Sequence, residues 1–171
     1  MDQDRREALY RDASRTHGAA LERLARGWER DAEKRRDLVQ EIHVALWRSL
    51  AAFDGRCSLA TWTFRVAHNV AASHARRAAS VRPLATIDEV ASLPADDDLE
   101  AEVGRKTAVE RLLSLVYRLT PLDRQVMLLW LEGLDAASIG EISGLSAANV
   151  ATKVHRMKDA LARRFREGGR S

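Results

Sequence analysis

Between Pro83 and Gly104 the chain carries seven acidic residues, no basic one, and two of its three prolines. Like charges repel one another and proline interrupts helical periodicity, so residues 80–104 are expected to run as an acidic flexible linker. That tract divides the 171 residues into two segments, 1–79 and 105–171, each near the size at which a hydrophobic core only just suffices. The net charge of +3 conceals a pattern. Residues 48–82 hold six basic side chains against one acidic, and 146–171 hold seven against two, so two basic blocks flank the acidic one. A chain that is 46% hydrophobic and 31% charged is expected to fold rather than to remain disordered throughout. Its longest apolar run, Val126 to Leu131, is too short to cross a bilayer, and its first residues read as neither signal nor anchor. With the single Cys57 excluding an intrachain disulfide framework, a cytoplasmic protein without membrane insertion is expected.

Both segments carry helical periodicity. In the first, Leu9, Ala13, His17, Ala20, Leu21, Leu24 and Trp28 recur at three- and four-residue steps. A second helix over about 31–51 aligns Leu38, Ile42, Ala45, Leu46 and Leu50 and is broken at Phe53-Asp54-Gly55-Arg56. A third, about 58–79, turns Leu59, Trp62, Val66 and Val70 inward and leaves Thr61, Arg65, Asn69, Ala72 and Arg76 on a polar, cationic face. The second segment opens with a helix over about 106–118. Thr120-Pro121-Leu122-Asp123 then reads as a helix start, and Gly133 as its stop. Asp135 can cap a short helix over 136–142, Ser143-Gly144-Leu145 a turn, and Ser146 the cap of a longer helix. Short helix, glycine-containing turn, longer helix is the helix-turn-helix pattern, so the fold class is all-α with two small helical domains. Gly140, inside the short helix, costs about 1 kcal/mol relative to alanine on propensity alone.

In the last helix Val150, Val154, Met157, Leu161 and Phe165 form the inner stripe. Ser146, Ala147, Ala148, Asn149, Thr152, Lys153 and Arg156 lie at its beginning and on its free side. Small residues admit close approach to a groove, asparagine pairs with an adenine edge, and lysine or arginine with guanine or phosphate. The cations would equally suit a solvated face near a helix C-terminus, which the helix dipole favours.

At this point the two halves together resemble the extracytoplasmic-function (group IV) sigma factors of bacterial RNA polymerase. DLVQEIHVALWRSLAAFDGRCSLATWTFRVAHNVAASHARR resembles the region 2 signature, and LTPLDRQVMLLWLEGLDAASIGEISGLSAANVATKVHRMKDAL resembles region 4. The resemblance implies that Asp37, Gln40 and Glu41 dock on the polymerase clamp. It implies that Arg56, Thr61, Arg65, Asn69, Arg76 and Arg77 melt and hold the −10 element as single strand, work that needs cations along the backbone. It assigns 146–156 to the −35 duplex, sends the linker toward the path of nascent RNA, and implies an anti-sigma protein as a further partner. Trp62 is tempting as a stacking platform, but it shares a face with Leu59 and Val66 and so suits the core, as do Trp28, Trp47 and Trp130. Three departures stand out. Ser73 occupies a position where the family usually has Asp, Ser138 and Gly140 replace a usual Glu and Ala, and Ala148-Asn149 with Ala151 stand where G-T-V-K is common.

An enzyme is not expected. His17, His43, His68, His74 and His155 form no H-x-x-x-H pair, and no C-x-x-C, H-E-x-x-H, glycine-rich phosphate loop or G-x-S-x-G elbow is present. No metal, cofactor or small-molecule substrate is therefore predicted. The alternative function is a stand-alone helix-turn-helix regulator, which would dimerise and bind duplex DNA without polymerase.

Overall fold

The computed structural model describes residues 3–78, 84–92 and 107–167, with side chains to residue 164. These residues are helical apart from turns and one isolated bridge, and the chain divides into two compact units, 1–80 and 81–171.

The first unit is three helices, α1 (Gln3–Trp28), α2 (Ala32–Ser49) and α3 (Leu59–Arg77), each packed on the other two. Asp31 starts α2 by accepting the N–H groups of Glu33 and Lys34, both at 2.9 Å. A 3₁₀ turn, Leu50–Ala52, and Gly55 at φ +78° end that helix and turn the chain toward α3. Leu21 and Leu24 of α1 and Leu38, Ile42 and Leu46 of α2 fill the core as the periodicity predicts. Helix α3 differs from expectation. Its buried face is Thr61, Thr63, Phe64, Ala67, His68 and Ala71, whereas Leu59, Trp62 and Val66 are only partly buried, against Ala13, Leu46 and Leu50. Packed on two sides, α3 buries a wider stripe than one apolar row, and three of the residues it buries are polar.

His68 is the sharpest instance. It lies edge-on to Trp28 at 6.1 Å, and neither ring nitrogen has a hydrogen-bond partner among the described residues. Burial alone pushes its pKa down to about 3, so the imidazole is neutral. Two further histidines are structural: His74 Nε2 meets Glu29 Oε2 at 3.0 Å, and His43 Nδ1 meets the Tyr10 hydroxyl at 3.0 Å. Trp28 is buried, while Trp47 and Trp130 are half-buried beneath the cations Arg6 and Lys158 respectively.

The second unit contains α4 (Ile87–Ser92), α5 (Ala108–Val116), α6 (Pro121–Leu131), α7 (Ala136–Ser143) and α8 (Ala147–Glu167). Thr107 and Glu110 form a reciprocal capping box on α5. The buried Arg124 of α6 donates to the carbonyls of Val116, Tyr117 and Leu119, supplying partners at and just beyond the C-terminal end of α5. Thr120 precedes Pro121 as predicted, but its side chain does not cap. Asp135 caps α7 through the Ser138 N–H, and Gly133 and Gly144 take left-handed φ of +83° and +80° at the turns. Gly140 is required here despite its low helix propensity: a Cβ there would lie 2.7 Å from the Leu145 carbonyl oxygen, so the missing side chain lets the turn close against α7.

The largest correction concerns the linker. Residues 84–92, expected to be part of a flexible acidic tether over 80–104, instead form a folded strap on the second unit. Ala85 bridges to the segment before α6, donating to Arg118 O at 2.8 Å and accepting from Thr120 N at 2.9 Å. Thr86 and Glu89 cap α4 reciprocally, Ile87 and Val90 are fully buried, and α4 packs along α8. Burying those two side chains stabilises the strap by roughly 3 to 6 kcal/mol as an upper figure. Residues 80–83 and 93–104 of the predicted linker lie outside the described set.

Candidate nucleic-acid interface

Ser146 opens α8 as predicted, its hydroxyl accepting the Asn149 N–H at 3.1 Å. Val150, Met157 and Ala160 are buried against the rest of the unit, and Val154 and Leu161 half-buried; the Phe165 side chain lies outside the described set. On the opposite side Ser146, Ala147, Ala148, Asn149, Thr152 and Arg156 are exposed, and so are Ala151 and His155. Neither of those last two belongs to the expected set, although each lies three residues beyond a member of it, on the same outward face. Thr152 spends its hydroxyl proton on the Ala148 carbonyl at 3.0 Å and faces outward as an acceptor with a methyl group.

Lys153 is placed differently from expectation. Its ammonium lies 2.7 Å from Asp123 Oδ1, with side-chain exposures of 18% and 3%, and the other oxygen of Asp123 accepts the Ile87 N–H at 2.8 Å. Helix α4 covers this flank of α8, so the inner stripe is wider there and Lys153 joins three helices rather than facing outward. Arg156, one turn further, keeps an exposed guanidinium and pairs with Asp88 of the strap at 2.5 Å.

In the first unit, Arg56 extends from the turn, with Asp54 Oδ2 on its Nε at 2.6 Å. The Arg56 backbone N–H, donating to the same carboxylate, holds Asp54 below the usual carboxylate range. Thr61 is not available to a ligand as expected: it is buried, accepting the Ser58 hydroxyl at 2.9 Å while its own N–H goes to Ser58. Arg65 is half-buried, and Asn69, Arg76 and Arg77 are exposed. Ser73 accepts from Arg76 at 2.8 Å, a hydrogen bond rather than an ion pair. Trp62 packs edge-on to Phe53 at 5.4 Å and donates Nε1–H to Ser49 at 3.0 Å, which places it with the core.

Asp37, Gln40 and Glu41, expected to dock on polymerase, line the same groove as Asn69, Ser73 and Arg77. Arg77 reaches across it to Glu41 at 2.6 Å. The groove floor includes Val44, an exposed aliphatic residue between charged walls. Among the described residues no cluster of histidine, cysteine, aspartate or glutamate could hold a metal ion, and no helix is long and apolar enough to cross a membrane.

A family model described as Sigma-70 region 2 matches residues 14–81, nearly the whole of the first unit. The chain is 26% identical over 151 residues to the ECF RNA polymerase sigma factor SigM of Mycobacterium tuberculosis, covering 87% of this chain and 73% of that protein. It is 23% identical over 144 residues to the ECF RNA polymerase sigma factor SigW of Bacillus subtilis, covering 77% and 75%. The solved structure of CnrH in complex with the cytosolic domain of CnrY shares the fold, with a TM-score of 0.65 at 22% identity over 92% of this chain and 88% of that one. Alignments of this extent include parts of both units. With the region 2 match on the first unit and sigma factors aligned across the two, the chain carries a Sigma-70 region 2 domain and is similar to the extracytoplasmic-function sigma factors, which are transcription-initiation factors and not enzymes.

Proposed function

We propose that the chain is a promoter-specificity subunit whose two units, 1–79 and 105–171 joined with the 84–92 strap, contact one promoter at two elements. The first unit docks on core RNA polymerase through Asp37, Gln40 and Glu41. It holds the opened −10 strand with Arg56, Arg65, Asn69, Arg76 and Arg77, whose charge and amide suit a phosphate backbone and an unstacked base. The second unit reads −35 duplex through Ser146, Ala147, Ala148, Asn149, Thr152 and Arg156. The observation that carries this reading is the outward face of α8, where small side chains and an asparagine follow directly on a capped helix-turn-helix. A cytoplasmic site of action follows from such partners. Because CnrH was solved with the cytosolic domain of CnrY, a protein inhibitor is proposed here as well, seated on the groove between α2 and α3 where it would compete with polymerase.

The test is reconstituted transcription, with purified chain and bacterial core polymerase on a genomic promoter library and the run-off products sequenced. Initiation at sites sharing two spaced elements is expected. Tight binding to paired duplex half-sites by a dimer, with no polymerase-dependent initiation, would establish a stand-alone regulator instead.

A further inference from the structure

Helix α4 lies on the flank of α8 that carries Arg156. Ile87 and Val90 are its buried side and Asp88 and Glu89 its exposed side. Glu89 is committed to the strap's own cap, accepting the Thr86 N–H at 2.7 Å. Asp88 has no such duty: its carboxylate meets the Arg156 guanidinium, with both side chains 52% exposed. Further along, Arg163 and Arg164 donate to the carbonyls of Ala91 and Val90 at 2.6 and 3.3 Å, completing the C-terminal end of α4. Three cations of α8 are thus turned toward the strap.

A guanidinium grips a carboxylate and a phosphate through the same planar fork of N–H donors. Asp88 therefore occupies Arg156 much as a DNA phosphate would. The two parts of the docking differ greatly in strength. An ion pair this exposed is weak and easily exchanged. The buried aliphatic pair and the Asp123 contact to Ile87 are not. Resting on the reading of α8 as a duplex reader, we propose that the strap is a built-in competitor of DNA: Asp88 withholds Arg156 from duplex, and binding exchanges carboxylate for phosphate at that one side chain while α4 stays seated.

Binding of the full chain to a fluorescein-labelled random-sequence duplex, titrated at low salt and at a series of salt concentrations, tests this. Asp88→Asn is expected to tighten binding about 2- to 5-fold, the gain from an exposed ion pair that no longer has to be given up when Arg156 meets phosphate. On an Arg156→Ala background the same substitution should give no gain, and Glu141→Gln, an equal change of charge on α7, should fall short of it. Amide exchange at Val90 should be unchanged in Asp88→Asn. The proposal is overturned by equal binding of wild type and Asp88→Asn, by a gain that survives Arg156→Ala, by a gain accompanied by loss of Val90 protection, or by absence of binding from both forms at low salt. Transcription with core polymerase separates the two readings. A wild type active there with an unresponsive Asp88→Asn removes this inference alone, whereas a wild type inactive on every template removes the promoter-reading function beneath it.

Discussion

Asp123 anchors the strap, and its removal has a consequence that can be sized. The carboxylate is 2% exposed and holds both the Ile87 N–H at 2.8 Å and the Lys153 ammonium at 2.7 Å. In Asp123→Ala the buried Ile87 N–H loses its acceptor, at about 1 to 3 kcal/mol. Lys153 loses its partner too. Breaking a buried ion pair costs about 3 to 5 kcal/mol when the surviving charge is trapped, but Lys153 is 18% exposed and can carry its ammonium to water, so a smaller share applies. Together the docking weakens by about 2 to 4 kcal/mol. Native-state hydrogen exchange on the full chain reads this locally at Val90, whose N–H donates to Thr86 O within the strap. At tenfold per 1.4 kcal/mol, protection there should fall by roughly 30- to 700-fold, while α1 and α2 are unaffected. Val90 protection within about threefold of wild type, less than 1 kcal/mol, would show that Asp123 does not hold the strap.

His68 makes the first unit acid-sensitive. Its folded pKa of about 3 lies below the unfolded value of 6.5, so between those values the unfolded chain takes up a proton that the folded one refuses. Its contribution to stability is complete above pH 6.5 and declines as pH falls toward 3, by up to about 1.4 kcal/mol per pH unit. Urea titrations followed by tryptophan fluorescence should show that slope, and His68→Phe should flatten it; an unchanged slope in the variant would place the acid sensitivity elsewhere. Replacing Asp37, Gln40 and Glu41 together with alanine should weaken association with core polymerase about tenfold or more, from three polar contacts at about 0.5 to 1.5 kcal/mol each, with helical circular dichroism retained. Undiminished association would remove the docking assignment.

What was legible in the sequence was what local chemistry decides. Asp31 and Asp135 cap their helices because a short carboxylate reaches the N–H groups two or three residues on, and Gly133 and Gly144 end theirs because only glycine takes a left-handed turn cheaply. The helix-turn-helix and the outward face of α8 followed from those stops and from helical spacing. What escaped were places where a distant partner overrides residue type. Lys153 looks like a solvent-facing cation until Asp123, 30 residues away, is packed beneath it. Thr61, Thr63 and His68 are polar by name yet buried, because α3 is covered on two sides. The strap was hidden by its setting: Thr86-x-x-Glu89 is a capping-box signature around Ile87 and Val90, lost inside a tract whose acids and prolines dominate its composition.

The central claim is that two helical units seize one promoter in two states, opened strand at one element and intact duplex at the other. Permanganate footprinting of the promoter complex with core polymerase, which marks unpaired thymines, read alongside nuclease protection, tests it most directly. The account predicts reactive thymines confined to the downstream element, a protected but unreactive duplex upstream, and loss of the upstream protection first when Asn149 and Arg156 are replaced with alanine. Protection without any unpaired base, or the same footprint in the absence of polymerase, would contradict it.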